Sequence, residues 1–491
     1  MRTGASRFGA TVATFCISCD ATEPGFRAIL LAHTRTPLLN HLCIAFLLLF
    51  LVVPRAVLAT DAADPDEPLS YSEELFDGPF EGAGSIDETV SPTGITGDWG
   101  GTRTWLLERG VELSADLTQG VQGVMDGGFD EEAEYLGSSE LILDVDSEKL
   151  GLWPGGFARI AAEGRFGNDV LGEAGSLSPV NNDALFPADP DRAGESVFAI
   201  TEMTATQFLT PWLGFFGGLV NTTSGDANGY AGFARSNEYF QNTSFLLSTV
   251  AMRIVPSITL GGGFVVIPFD WLVGTFTFMN TEESAGSDPF DTEDGVTFVT
   301  EWAATHDMLE LPVRHVVSFG IGFDNDFFRL GDLPRLEFPP DDGGPPESKF
   351  STKDESWAFW YNGQVDVWTH SENEERKSGL FLRFGYADDE TNPIEWNLAV
   401  GVGGMGVFDV RPRDRFGIGV YHLEPSDNFP LPQLGVEEET GFEAFYNAEL
   451  WPGVNLTADL QYIDSAFGKG RLVTETPDNA WVGGLRLRIE L

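Results

Sequence analysis

No cysteine follows residue 43. Cys16, Cys19 and Cys43 are the only three in the chain, so everything beyond them lacks disulfides and thiolate chemistry. The Cys16-Ile-Ser-Cys19 spacing suits redox or zinc chemistry, but it falls in a leader-like stretch. Basic residues are also scarce, with 28 Lys and Arg against 76 Asp and Glu and a net charge of -48. Binding a phosphate backbone needs clustered cations, so nucleic acid is excluded as a partner. Histidine occurs four times after residue 60, at His306, His315, His370 and His422. None stands in an HExxH or at helical i, i+4 spacing, so no metal site is expected. There is no P-loop and no GxSxG elbow, so neither a cofactor nor an enzyme is indicated. No stretch past the leader holds eighteen uninterrupted apolar residues, which excludes a bundle of transmembrane helices.

What is present is enough for a folded protein: 42% hydrophobic residues, 12% aromatic residues and 57 glycines. Residues 43–53 form an apolar run of signal-peptide length, with Arg27 and Arg35 upstream and Val57-Leu-Ala59 before a cleavage point. The expected organisation is a leader over 1–59, a mobile acidic spacer over 60–90, and one large domain over 91–491.

Within that domain polar and apolar residues alternate with a period of two, the signature of strands with two unlike faces. In the closing stretch Leu485, Leu487, Ile489 and Leu491 oppose Arg486, Arg488 and Glu490. In 157–166, Arg159, Glu163 and Arg165 oppose Ala158, Ile160 and Ala162. In 360–368, Asn362, Gln364 and Asp366 oppose Tyr361, Val365 and Val367. Glu140, Asp144 and Asp146 oppose Leu141, Leu143 and Val145. A soluble barrel would show the same alternation with its faces reversed.

The links between strands separate the two cases. Short ones with Trp and Pro stand at 153–156, 210–212, 255–257 and 451–453, and longer polar ones at 126–138, 167–194, 281–295 and 331–356. Short turns on one rim and long loops on the other, with aromatic residues at the rim, describe an outer-membrane barrel. The expected fold is all-β: a transmembrane antiparallel β-barrel of about sixteen strands with a short N-terminal helix. Asp98 is the candidate helix cap and Gly110 the stop.

The stretch Gly94-Ile-Thr-Gly97-Asp98-Trp99-Gly100-Gly101-Thr-Arg103 resembles the opening of the carbohydrate-selective (OprB-type) porins of bacterial outer membranes. Similar landmarks are Asp144–Gly156, Glu443–Trp451, Leu456–Ile463 and Asn479-Ala480-Trp481. Leu491 stands where such strands usually end in an aromatic residue. The resemblance implies passive diffusion of small sugars through a polar lumen in the cell outer membrane, by a monomer or trimer. Lipid and the outer-membrane assembly machinery are the further partners. The candidate pore-lining residues are Arg159, Glu163, Arg165, Asn362, Gln364 and Asp366; Gly97, Asp98, Trp99, Gly100, Gly101 and Arg103 form the motif. Guanidinium and carboxylate groups hydrogen-bond sugar hydroxyls strongly, and aromatic rings stack on the sugar face. The acidic excess keeps a general or cation-preferring porin as an alternative. A secreted β-rich carbohydrate-binding protein, a glycosidase or an adhesion protein is the alternative from another class.

Overall fold

The computed structural model describes residues 94–185, 196–281, 295–333, 335–337, 347–428, 430–468 and 476–491. The leader and spacer expected over 1–90 lie outside the described residues, as do parts of the long links. A one-turn helix, α1 (Thr102–Leu107), precedes β1 (Val111–Gly128), β2 (Ala133–Asp146), β3 (Gly156–Gly167), β4 (Val197–Thr210) and β5 (Leu213–Asn221). Then come β6 (Ile258–Phe269), β7 (Leu272–Asn280), β8 (Val296–Met308), β9 (Leu311–Phe328) and a small hairpin of β10 (Arg335–Glu337) and β11 (Glu347–Lys349). The chain continues through β12 (Thr352–His370), β13 (Asn373–Ala387), β14 (Ile394–Met405), β15 (Arg415–Pro425), β16 (Glu439–Trp451), β17 (Val454–Asp464) and β18 (Asp478–Glu490).

All strands but the hairpin pair join one closed antiparallel barrel of sixteen. Each pairs with its sequence neighbour, β9 with β12 across the hairpin, and β18 closes on β1. Closure pairs every edge, which lipid requires because no water is there to satisfy a free N–H or C=O. The outer rows are apolar and bare: Val121, Leu141, Ile160, Phe198, Phe278, Ile418 and Leu485 are exposed. Such a belt is unfavourable in water and favourable in hydrocarbon.

Turns of two residues at 211–212, 270–271, 309–310, 371–372 and 452–453 define one rim, which also carries α1 and Leu491. The other rim carries the long links. Three details differ from the sequence reading. The expected short link at 153–156 is the end of a nine-residue link, 147–155, with Gly156 already in β3. The stretch 126–138 is almost all strand, leaving a link of 129–132. Val255-Pro256-Ser257 is no short turn but the end of a long segment, 222–257, that enters the barrel.

Candidate functional site

The segment 222–257 contains no strand, yet much of it is buried inside the barrel. Backbone removed from water must find partners for its N–H and C=O groups, and here the wall supplies many of them. Glu443 of β16 accepts from the main-chain N–H of Gln241 at 2.6 Å and of Asn242 at 2.9 Å. Asn362 of β12 donates to the carbonyls of Asp226 and Ala227, both at 3.0 Å. Arg383 of β13, fully buried, pairs with the Asp226 carboxylate and donates to the Asp226 carbonyl at 2.7 Å. Apolar packing adds to this. Phe240 stacks on Phe245 with centroids 4.4 Å apart, and the pair sits against Phe381, Tyr421 and Phe445 of the wall. The segment 168–185 is held in the same way, with Glu439 accepting from Leu177 N–H at 2.6 Å and Ser176 Oγ at 2.8 Å.

These contacts fix which face is the lumen. Residues that touch the two inward segments share one strand parity, and the bare apolar residues share the other. On the inner face, register aligns Asp116 of β1, Glu140 of β2 and Glu163 of β3 in one row. Like charges on neighbouring strands repel. Two guanidiniums offset them. Arg235, carried in by the segment, pairs with Glu140 and, at 3.1 Å, with Glu163, and lies 3.9 Å from Glu202. Arg488 of β18 pairs with Asp116 at 3.2 Å and with Glu238 of the segment at 2.8 Å. Glu238 also binds Arg415 of β15, whose guanidinium lies over the Tyr239 ring at 5.3 Å. Arg486 donates to the Tyr239 carbonyl at 2.8 Å.

Exposure separates the groups a solute can reach from those that only hold the frame. The side chains of Arg415, Arg488 and Glu140 are 24%, 22% and 20% exposed, whereas Arg235 is at 7%. What stays partly exposed here is a set of donors and acceptors beside one aromatic ring, Tyr239.

The sequence-derived residues sit on the inner face and are engaged there. Arg159 makes a bidentate pair with Asp144, at 2.7 and 2.8 Å. Arg165 donates to the carbonyl of Ala184 at 2.5 Å. Glu163 accepts from Thr201 Oγ1 at 2.6 Å and Asn221 Nδ2 at 2.8 Å besides Arg235. Asn362, Gln364 and Asp366 receive the turn 226–230: Gln364 accepts from Gly229 N–H at 2.7 Å, and Asp366 from Tyr230 OH at 2.5 Å. Asp146 caps the turn after β2 by accepting from the N–H groups of Glu148 and Lys149. Sequence reasoning missed Arg235, Glu238, Tyr239 and Arg415. The usable signal was the scarcity of basic residues, which makes each arginine at an inward position or in a link conspicuous.

At the short-turn rim the glycine motif has a mechanical job. Gly97, Trp99, Gly100 and Gly101 all have positive φ, a run that only glycine adopts without strain and that Trp99 adopts here at 48°. Gly101, not Asp98, stands at the N-cap position, but the coil brings Asp98 over the start of α1, where its Oδ1 accepts from the Thr104 N–H and Oγ1, both at 2.8 Å. Those bonds, the main-chain one first, hold the Asp98 carboxyl below the ordinary aspartate range. Arg103 lies over Trp99 and donates to the Leu491 carbonyl at 3.2 Å, while Ile95 N–H donates to Glu490 O at 2.9 Å. Gly110, at φ 74°, ends the helical turn.

Comparison with known proteins shows what the chain is similar to. A family model described as carbohydrate-selective porin, OprB family, matches residues 130–491. Porin B of Pseudomonas aeruginosa is 26% identical over 441 residues, covering 82% of this chain and 92% of that protein. A structure of Pseudomonas putida OprB at high pH superposes with a TM-score of 0.66 and 21% identity, covering 82% of this chain and all of the other.

Proposed function

The chain belongs to the OprB family of carbohydrate-selective porins, and from that membership we propose how its lumen handles a sugar. As such a porin it is a passive channel of the outer membrane for small sugars, not an enzyme. A constriction formed by Arg415, Arg488, Glu140 and Tyr239 is the selective element. Arg415 and Arg488 present donor forks to the hydroxyls, Glu140 accepts from them, and Tyr239 offers a face to the ring. Each contact is weak and wet, so residence stays short and flux stays high. Arg159 and Arg165 act one step back, by fixing Asp144 and the segment 168–185. Asn362, Gln364 and Asp366 set the position of the turn 226–230.

The observation that carries this reading is that Arg415 and Arg488, though both paired with Glu238, keep more of their side chains exposed than Arg159 and Arg235 on the inner wall. In planar bilayers, glucose or maltose should block the ion current of the unaltered chain. In R415A/R488A the block should weaken and the reversal potential should shift toward cations. An unchanged block would remove both residues from the sugar path.

Residues 1–59 are proposed as a leader removed on export. N-terminal sequencing of the membrane form should begin near Thr60.

A further inference from the structure

The link 406–414 is one of two long links on its rim. Five of the seven strand-to-strand connections there have two residues, whereas this one and 147–155 have nine. The link 406–414 does not fold into the lumen. Arg376, from which it hangs, lies on the outer row of β13 with Leu380, Leu382 and Phe384; the inner row carries Phe381 and Arg383. Arg376 Nε donates to the Gly406 carbonyl at 2.9 Å, and its Nη2 meets Asp409 at 2.7 Å. At the other end Tyr446, on the outer row of β16, donates its hydroxyl to Asp414 at 2.5 Å. Arg411 binds Asp414 at 2.7 Å and the Glu449 carbonyl at 2.9 Å. The link is thus fastened, as a built element, across the outside of the barrel from β13 to β16.

Its tip is apolar. Val410 is 87% exposed and Phe408 58% exposed, with Val407 beside them. Arg413 stands next to this tip with its side chain 56% exposed, hydrogen-bonded to Glu449 at 3.0 Å. Trp368 and Trp451, at strand ends on the same rim, are exposed as well. An apolar tip this bare costs free energy in water. Here it continues the lipid-facing wall of Ile418 and Val420, and a guanidinium beside it matches the charge of a phosphate above acyl chains.

We infer that the link 406–414 is a lipid-binding element: Val407, Phe408 and Val410 enter the leaflet at the short-turn rim, and Arg413, the more exposed of its guanidiniums, meets phospholipid phosphate. The occupant is phospholipid, because the exposed face joins apolar groups to cations and is continuous with the surface already in lipid. Through Arg376 and Tyr446 the element would also set the height of β13 to β16 in the bilayer.

The test uses the full chain with Cys16, Cys19 and Cys43 replaced by serine, so that V410C is the single thiol. It is labelled with an environment-sensitive fluorophore and refolded into vesicles of phosphatidylethanolamine and phosphatidylglycerol. Glu372→Cys, in the two-residue turn 371–372, is the control. Shallow spin-labelled lipids should quench the V410C probe and iodide should not, with the opposite result at residue 372. R413Q should reduce the advantage of phosphatidylglycerol over phosphatidylcholine in that quenching by several-fold. Iodide quenching at Val410 equal to that at residue 372 overturns the inference. So does protection from both quenchers with crosslinking between V410C chains, which would make the face a protein interface. If V410C does not refold, hydrogen exchange of the otherwise unaltered chain decides. Slower exchange over 407–411 in vesicles than in a short-chain detergent supports lipid contact; equal exchange overturns it.

Discussion

Arg488 of the last strand and Asp116 of the first stand 3.2 Å apart on the inner wall, at the join that closes the barrel. The same guanidinium reaches Glu238 at 2.8 Å. One side chain therefore ties closure of the sheet to the position of the inward segment. The proposed sugar-selective surface and the closure of the barrel therefore share this residue.

Replacing Arg415 alone should leave the join intact, since Arg488 keeps Asp116. A charge-assisted hydrogen bond contributes about 1.5–3 kcal/mol. Sugar block of the current should therefore weaken by roughly ten- to hundredfold, with unchanged mobility of the folded barrel on unheated gels. Equal block in R415A and the parent would place the narrowest point elsewhere.

Asp226→Ala should loosen the inward segment. It leaves Arg383, fully buried, without the Asp226 carboxylate. Removing one partner of a buried pair costs about 3–5 kcal/mol. The expected signature is a lower thermal transition and a noisier open-channel current. A quiet channel of parental stability would show that the segment is held by its aromatic cluster alone.

Leu485 is an outward residue in the middle of β18, 56% exposed and paired with Val121 and Ala458. Leu485→Arg puts a charge in hydrocarbon, at about 2–4 kcal/mol near the midplane. The heat-modifiable barrel should be lost or much reduced. Leu487→Asp should act in the same direction but more weakly, being nearer the rim. Normal assembly of both would mean that the faces are reversed.

Asp98, bonded to Thr104, gives a pH dependence of definite sign. Its folded pKa lies below the ordinary value. Its contribution is therefore complete above the unfolded pKa and is lost as pH falls through the folded one. Exchange of the α1 amides should quicken on acidification through the range below the ordinary aspartate pKa. Asp98→Ala should show the fast rate already at neutral pH, with no further acid step.

The sequence by itself determined the wall. Alternation such as Leu485, Leu487, Ile489 against Arg486, Arg488, Glu490 has the period of a strand, and a strand has only two faces. Once the lipid face was chosen, the inward positions of Arg159, Glu163, Arg165, Asn362, Gln364 and Asp366 followed. The rim turns were equally legible at Thr210-Pro211-Trp212 and Trp451-Pro452-Gly453, because proline and glycine act locally. What fills the lumen was decided by tertiary structure. Phe240, Phe245 and Val250 read along the chain as ordinary core residues, and nothing local says that their segment enters the barrel. Arg235 meets Glu140 across 95 positions, and Arg488 meets Glu238 across 250. Such partners are chosen by a closed wall and an inward loop together. Strand periodicity gives the direction of a side chain, but not what stands opposite it in three dimensions.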